Sequence, residues 1–374
     1  MSGSVLWLGP VYDERSMLSG LAVSPAANRW QHGLIRALAR RGRAVSVLSY
    51  MLASVWPRGP LSVGRDAGTA PHDVDGTNVG YLNAPGLRVP SLARHHARAI
   101  RELVARQGKP SVVVSYNELP GPYFAALSAT LRWRIPWVHV IADATAPSLR
   151  PVARVLRRVL RPGRVYLSWA DYERDHTSEK LHLDGAAEAM RPYGPPTLPS
   201  TVVYTGSVST NAGAELLARA FERVVRDDVR LVVCGPGRHD ALQALAERDA
   251  RVTIKGLVPE AELAAICATA AVFVNPRLPS APENINNFPS KLLEYLSYGR
   301  PVVSTWTPGL SPAYRDVLIV SDATPAAFAH GIARGLQADS EDTYALASRF
   351  VSASHTWDAQ AARLDDFLTR CVQR

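Results

Sequence analysis

The chain has only three cysteines, Cys234, Cys267 and Cys371, and they are scattered without metal-ligand spacing. Neither a disulfide framework nor a zinc site is written in it, and a reduced, cytoplasmic protein is the expectation. No run of 18 or more apolar residues exists, which excludes a transmembrane helix on length. The N-terminus runs straight into Val5-Leu6-Trp7-Leu8 without a basic start and a cleavage site, so no secretory signal is expected. Acidic residues are scarce in the first half. Residues 1–185 hold 13 Asp/Glu against 24 Lys/Arg, a net of +11, whereas residues 186–374 hold 20 against 18, a net of −2. That asymmetry points the first half towards an anionic partner. No nucleic-acid-binding motif accompanies the charge, so nucleic acid is not the partner expected.

What is present is an alternation of short apolar runs and helical patterns across 374 residues, enough for two domains. The pattern predicts strands at Val5–Leu8, Ala44–Leu48, Val79–Leu82, Val112–Tyr116, Pro136–Ile141 and Val165–Trp169. Helices are predicted between them at Asn28–Arg41, Ser91–Arg106, Pro122–Leu131 and Ala153–Leu160, with residues 51–78 an irregular connection. Residues 191–200 carry four prolines in ten positions and read as a linker. The alternation then restarts, with strands at Val202–Tyr204, Val229–Cys234, Val252–Ile254, Val272–Asn275 and Val302–Ser304. Helices are predicted at Ala214–Arg226, Asp240–Ala246, Glu260–Ala268, Thr324–Leu336, Glu341–Ala353 and Trp357–Val372. This is the signature of two parallel sheets wrapped by helices.

One stretch organises the second half: Asn286-Asn287-Phe288-Pro289-Ser290-Lys291-Leu292-Leu293-Glu294-Tyr295-Leu296-Ser297-Tyr298-Gly299-Arg300-Pro301-Val302. Pro289 suits a helix's first turn and Gly299 its end, with Pro301 preventing continuation. Such an N-terminus attracts an anion, and Ser290 and Lys291 add a hydroxyl and a full charge there. Glu294, one turn on, is placed to accept from ribose hydroxyls.

These residues resemble the nucleotide-sugar signature of family 4 glycosyltransferases, in the bacterial variant that reads N-x-F-P-S-K-L-x-E-Y-L-x-x-G-x-P-V. In the better-known form two glutamates stand seven residues apart. Glu294 matches the second, and Asn286 stands where the first would be. The resemblance implies a GT-B fold, two doubly wound Rossmann-like domains facing each other across a cleft. Domain one would be residues 1–188 plus 355–374, the last helix crossing back, and would bind the acceptor. Residues 189–354 would form the domain that holds the sugar nucleotide. The motifs Tyr204-Thr205-Gly206-Ser207, Leu231-Val232-Val233-Cys234-Gly235-Pro236-Gly237 and Val252-Thr253-Ile254-Lys255-Gly256-Leu257-Val258 follow in the family's order.

Ligands of open α/β sheets bind where the C-terminal strand ends converge. Gly206, Ser207, Gly235, Gly256, Asn275, Glu118 and Asp143 stand at such ends. The resemblance assigns Gly206 to the diphosphate, Leu257 and Val258 to the base, and Glu283, Asn286, Asn287 and Phe288 to the donor loop. Many family members carry an Arg and a Lys beside the diphosphate where this chain reads Ser207 and Ala212. Lys291 is therefore expected to carry the leaving-group charge, with Arg277 as a helper or a solvated surface residue. Asp143 and Glu118 are the candidates to orient the acceptor hydroxyl or the donor sugar, although an Asp there also suits a helix N-cap. His139, inside a strand, is expected in the packing.

The implied reaction moves a hexose-type sugar from a UDP- or GDP-sugar to an acceptor glycan, lipid-linked sugar or small molecule. It would retain configuration and need no metal or other cofactor, no Asp-x-Asp of the metal-binding kind being read in the chain. An epimerase, a sugar phosphorylase or a catalytically silent nucleotide-sugar-binding subunit would share these motifs. Two basic clusters, Arg94/Arg98/Arg101 and Arg154/Arg157/Arg158/Arg161/Arg164, suit peripheral contact with an anionic membrane or are solvated arginines of an Arg-rich chain.

Overall fold

Valine-rich runs with no alternation of polar residues are strands that are covered on both faces, and here they build two separate parallel sheets. The computed structural model describes residues 3–13, 25–65, 75–142, 155, 158–194 and 200–374. It divides into two compact units. Unit 1 comprises residues 1–167, 172–183 and 357–374, and unit 2 comprises residues 168–171 and 184–356.

Unit 1 runs β1 (Val5–Leu8), α1 (Pro25–Arg40), β2 (Val45–Ser49), β3 (Ser62–Val63), β4 (Asp75–Asn78), β5 (Tyr81–Leu82) and α2 (Arg88–Gln107). It continues with β6 (Val112–Tyr116), α3 (Pro120–Trp133), β7 (Trp137–Ile141), β8 (Gly163–Tyr166), the short α4 (Trp169–Arg174, shared with unit 2) and β9 (Lys180–His182). Its parallel sheet has the order β4-β2-β1-β6-β7-β8-β9, and β3 and β5 form a separate antiparallel pair. The order reverses between β1 and β6, so the ends of these two strands flank a crevice.

Unit 2 runs β10 (Thr201–Thr205), α5 (Ala214–Phe221), β11 (Arg230–Cys234), α6 (Asp240–Arg248), β12 (Val252–Gly256), α7 (Glu260–Ala268) and β13 (Val272–Asn275). Then come α8 (Pro282–Ile285), α9 (Lys291–Ser297), β14 (Val302–Thr305), β15 (Ile319–Ser321), α10 (Pro325–Gln337) and α11 (Ser340–Ser354). Its parallel sheet has the order β12-β11-β10-β13-β14-β15, reversing between β10 and β13. Alternate residues of the central strands serve opposite cores. Val202, Tyr204, Val272 and Val274 pack with Phe221 and Phe328. Val203, Phe273 and Val302 pack with Leu292, Leu293, Tyr295 and Leu296 of α9. The last helix, α12 (Trp357–Val372), belongs to unit 1. Its Trp357 ring occupies the space beside Gly33 of α1, where no side chain would fit, and Arg40 and Arg43 pair with Asp358 and Asp365.

Two differences from the sequence reading have physical causes. β4, β9 and β15 fall where no strand was expected; β4 and β9 are edge strands of Asp-Gly-Thr-Asn and Lys-Leu-His, and β15 is a three-residue edge strand. With one neighbouring strand each, they need no continuous apolar run. The helix expected over Ala214–Arg226 stops at Phe221, where i→i−3 bonds from Arg223 and Val224 tighten the chain into a turn. Half of the basic helix expected over Ala153–Leu160 lies outside the described residues, and residues 155 and 158–160 are helical as expected.

Candidate active site

The C-terminal ends of β10 and β13 flank the reversal in unit 2, and the residues that follow them meet the start of α9. β10 ends at Thr205, and Gly206 continues with φ +121° and donates its N–H to the Cys234 carbonyl at 2.9 Å. A β-carbon at Gly206 would stand 2.8 Å from the Lys291 Nζ. One at Gly235, φ +140°, would collide with the Gly206 carbonyl oxygen. Glycine is thus required at Gly235 by backbone contact as well as by backbone angle, and at Gly206 by its angle, since the end of the Lys291 side chain can shift.

The Lys291 ammonium lies 4.1 Å from the Tyr204 ring centroid, a cation–π contact. Arg277, just past β13, is half-buried; its Nη1 is fully covered and has no hydrogen-bond partner among the described residues. Neither cation forms an ion pair among the described residues. Burial pushes the Lys291 ammonium down to about 7; Arg277 pushes the same way, and Glu294 opposes both. Burial likewise lowers Arg277, and it raises the Tyr204 hydroxyl to about 12. Two desolvated positive groups side by side are costly. An anion between them would relieve that cost.

Three residues that the sequence reading did not single out hold this arrangement. The Tyr204 hydroxyl donates to the Ser207 carbonyl at 2.7 Å and fixes the loop after β10. The Tyr295 hydroxyl accepts from the Thr205 N–H at 2.8 Å and donates to its carbonyl at 3.1 Å, while the ring stacks on Phe273 at 4.4 Å. Asn284 donates to the carbonyls of Asn211 (2.7 Å) and Leu278 (2.9 Å), tying together the loops that follow β10 and β13.

The helix start differs from expectation. α9 has seven residues and begins at Lys291; Pro289 and Ser290 form a tight turn ahead of it, with Leu292 N–H to Pro289 O at 3.0 Å and no capping bond from the Ser290 side chain. Its end is as read, Gly299 taking φ +63°. Glu294 lies half-buried one turn beyond Lys291. Glu283 is exposed on α8, and Asn286 and Asn287 are half-buried. Phe288 packs in the core 5.6 Å from the Tyr314 ring, so its backbone, not its side chain, is available to a ligand. After β12, Leu257 is 81% exposed beside Gly256, and Val258 is half-buried.

In unit 1, Glu118 is buried just past β6, next to Asn117, whose side-chain oxygen accepts from the Ala142 N–H at 2.7 Å. His139 is buried and bonded to Ser115 at 2.9 Å, in the packing as expected. Asp143 lies outside the described residues. Contrary to the sequence reading, an Asp-x-Asp form is present in the chain, at Asp73-Val74-Asp75. Asp75 opens the edge strand β4 and accepts from Ser46 and Gln107. Among the described residues no group of three or more His, Cys, Asp or Glu is arranged to hold a metal ion.

Two family models match the chain: Glycosyl transferases group 1 over residues 199–338, and Glycosyl transferase 4-like domain over residues 26–194. The two matches, one in each half of the chain, support a glycosyltransferase. Its fold is GT-B. A glycosyltransferase from Rickettsia africae superposes with a TM-score of 0.71 at 11% identity, covering 100% of each chain. Anabaena HepE, solved in complex with UDP and glucose, gives 0.65 at 14% over 98% of this chain and 100% of the other. Sucrose-phosphate synthase from Thermosynechococcus elongatus gives 0.64 at 16% over 98% of each. No curated protein matches the chain by sequence. In this glycosyltransferase the cations of the site come from β13 and α9, since Ser207 and Ala212 stand after β10.

Proposed function

We propose that unit 2 binds a UDP- or GDP-linked sugar, and that the protein moves its hexose-type sugar to an acceptor hydroxyl. The observation that carries this reading is the pair of desolvated cations, Lys291 and Arg277, the first of them beside Gly206, with no ion pair to either among the described residues. A diphosphate supplies the missing charge, and Gly206 gives its oxygens close backbone approach. Glu294 then serves the ribose, Leu257 and Val258 the base, and Gly235 with Ser207 and Ser290 the phosphate surroundings. Glu283, Asn286, Asn287 and the Phe288 backbone serve the sugar side. The donor complex of the Anabaena protein supports this class of ligand.

As the glycosidic bond breaks, negative charge grows on the leaving diphosphate, and fixed cations stabilise it most when that charge is greatest. Two protein cations at that place make a metal-independent transfer the expected chemistry, with retention of configuration as the family resemblance implies. Glu118 and Asp143 are assigned to the acceptor side, orienting the hydroxyl that attacks. The acceptor is a glycan, a lipid-linked sugar or a small molecule, in surface-glycan or natural-product assembly.

A thermal-shift screen over UDP-, GDP- and dTDP-sugars tests the donor assignment, because a ligand of the native state alone raises its apparent stability. One family of donors should raise Tm with chelator present. No shift with any donor overturns the reading. Ser207 and Ala212 favour a second reading, a silent donor-binding subunit; donor hydrolysis or sugar transfer above background excludes it.

A further inference from the structure

Two arginines among the described residues are buried, Arg43 and Arg300, each 8% exposed. Their surroundings differ. Arg43, in unit 1, pairs with Asp365 and also donates to the Thr369 hydroxyl at 2.6 Å and the Gly3 carbonyl at 3.2 Å. The Arg300 guanidinium, in unit 2, has neither an ion pair nor a hydrogen bond among the described residues. A guanidinium carries five N–H donors and a full charge, and desolvating it without partners is costly. Burial lowers the Arg300 guanidinium from its ordinary range, and the Tyr193 hydroxyl works against that shift.

The backbone keeps the side chain in this position. Arg300 lies between Gly299, which ends α9 in the left-handed region, and Pro301, which leads into β14. The Tyr344 ring of α11 covers Gly299 so closely that a β-carbon there would overlap it. The Tyr344 hydroxyl donates to the Arg191 carbonyl at 2.9 Å, and the Tyr193 and Tyr344 rings meet edge to face at 5.1 Å. The Tyr193 hydroxyl lies 3.3 Å from that of Ser340, the first residue of α11. The end of α9, residues 191–193 and the start of α11 are thus tied into one frame beside Arg300. Tyr193 is 48% exposed, so the frame is open to solvent on that side.

We propose that Arg300 anchors a second anion site, which takes one singly charged oxyanion group of a small molecule, a carboxylate or a phosphate, against Tyr193. The planar fork of the guanidinium matches two oxygens of such a group, and the tyrosine hydroxyl offers a further donor. Asp339, Glu341 and Asp342 stand at the start of α11 and oppose a more highly charged ligand. The site lies past the end of α9, and Lys291 is at the start of that helix. The proposal does not rest on the donor reading.

Thermal denaturation of the full chain at pH 6 tests it, in rising sodium acetate or sodium phosphate against sodium chloride at equal ionic strength. At least one oxyanion should raise the wild-type Tm beyond chloride, because it binds the native state alone. A rise with acetate assigns a carboxylate ligand, and a rise with phosphate alone assigns a phosphate group. Lys291→Ala should keep the rise, whereas Arg300→Met should weaken the apparent oxyanion affinity about tenfold or more. In chloride Arg300→Met should melt no lower than wild type, since it removes an unpaired buried charge. Tyr193→Phe should weaken binding less than Arg300→Met. Acetate and phosphate that act no differently from chloride overturn the proposal. So does a rise that Lys291→Ala abolishes and Arg300→Met keeps, which would place the anion at the donor site. An Arg300→Met variant that melts clearly below wild type in chloride overturns it too, since Arg300 would then serve the packing.

Discussion

The strand ends of the two sheets have opposite electrostatic character, and neither matches the charge of its half of the chain. Residues 1–185 carry a net +11, yet the group buried at the reversal of the unit 1 sheet is an acid, Glu118. Residues 186–374 carry a net −2, yet the reversal in unit 2 presents two cations, Lys291 and Arg277, that form no ion pair among the described residues. Around β1, polar side chains are bonded inward: Gln31 accepts from Trp7 Nε1 at 3.0 Å and donates to the Pro10 carbonyl at 3.0 Å, and Ser49 donates to the Val11 carbonyl at 2.7 Å. Around β10 the backbone is bonded inward while the cations are left over. Net charge thus describes a surface and its long-range steering. The sign of a site is set by which few groups are desolvated there.

The sharpest way to break this contrast is to remove the central cation. Lys291→Ala should lower kcat by roughly 100-fold or more, by analogy with losing one preorganised donor to a developing charge, with a smaller effect on KM. Steady-state kinetics check it; near-normal kcat with only a raised KM would mean uniform binding instead. Lys291→Arg should rescue only partly, since a planar fork does not replace a point charge.

Glu294→Ala comes next. It leaves ribose hydroxyls unpaired and should cost about 1–3 kcal/mol of donor affinity in a folded protein, measured by titration calorimetry. Unchanged affinity rejects the ribose role. In contrast, Glu118→Gln in unit 1 should leave donor affinity unaltered and reduce transfer alone.

A smaller effect follows from protonation. With Lys291 lowered to about 7 in the free protein, its ammonium is lost as pH rises through that value, well before an ordinary lysine's would be. Donor binding restores the charge, so binding should take up a proton and donor affinity should fall between pH 7 and 10. The unfolded chain holds that proton over the same range, so this group makes the free protein more stable as pH rises. The donor-induced rise in Tm should therefore shrink with pH, and Lys291→Arg should flatten the dependence.

Tyr204→Phe should do least. It keeps the ring under Lys291 and removes the bond to the Ser207 carbonyl, a change of about 0.5–1.5 kcal/mol, read as a modest rise in KM. If Tyr204→Phe equals Lys291→Ala in kcat, the hydroxyl acts on the reaction and not merely on the loop.

The sequence by itself determined the two parallel sheets, because buried parallel strands demand uninterrupted runs such as Val112–Tyr116 and Val272–Asn275, and both are found with the bounds read from the pattern. It also determined the glycines at the strand ends and the Lys291–Glu294 spacing, since these follow from local backbone geometry. Edge strands β4, β9 and β15 were not legible, as a strand with one neighbour carries little pattern. Nor was the start of α9, where a proline at position 289 fits a tight turn as well as a first helical turn. Only the tertiary structure decided that Arg277 is a desolvated neighbour of Lys291 instead of a solvated arginine, and that Tyr204 and Tyr295 brace the loop between them. The physical reason is that desolvation and counter-charge depend on what other strands bring to the same place, and β13, more than sixty residues along the chain from β10, is hydrogen-bonded beside it only once the sheet has formed.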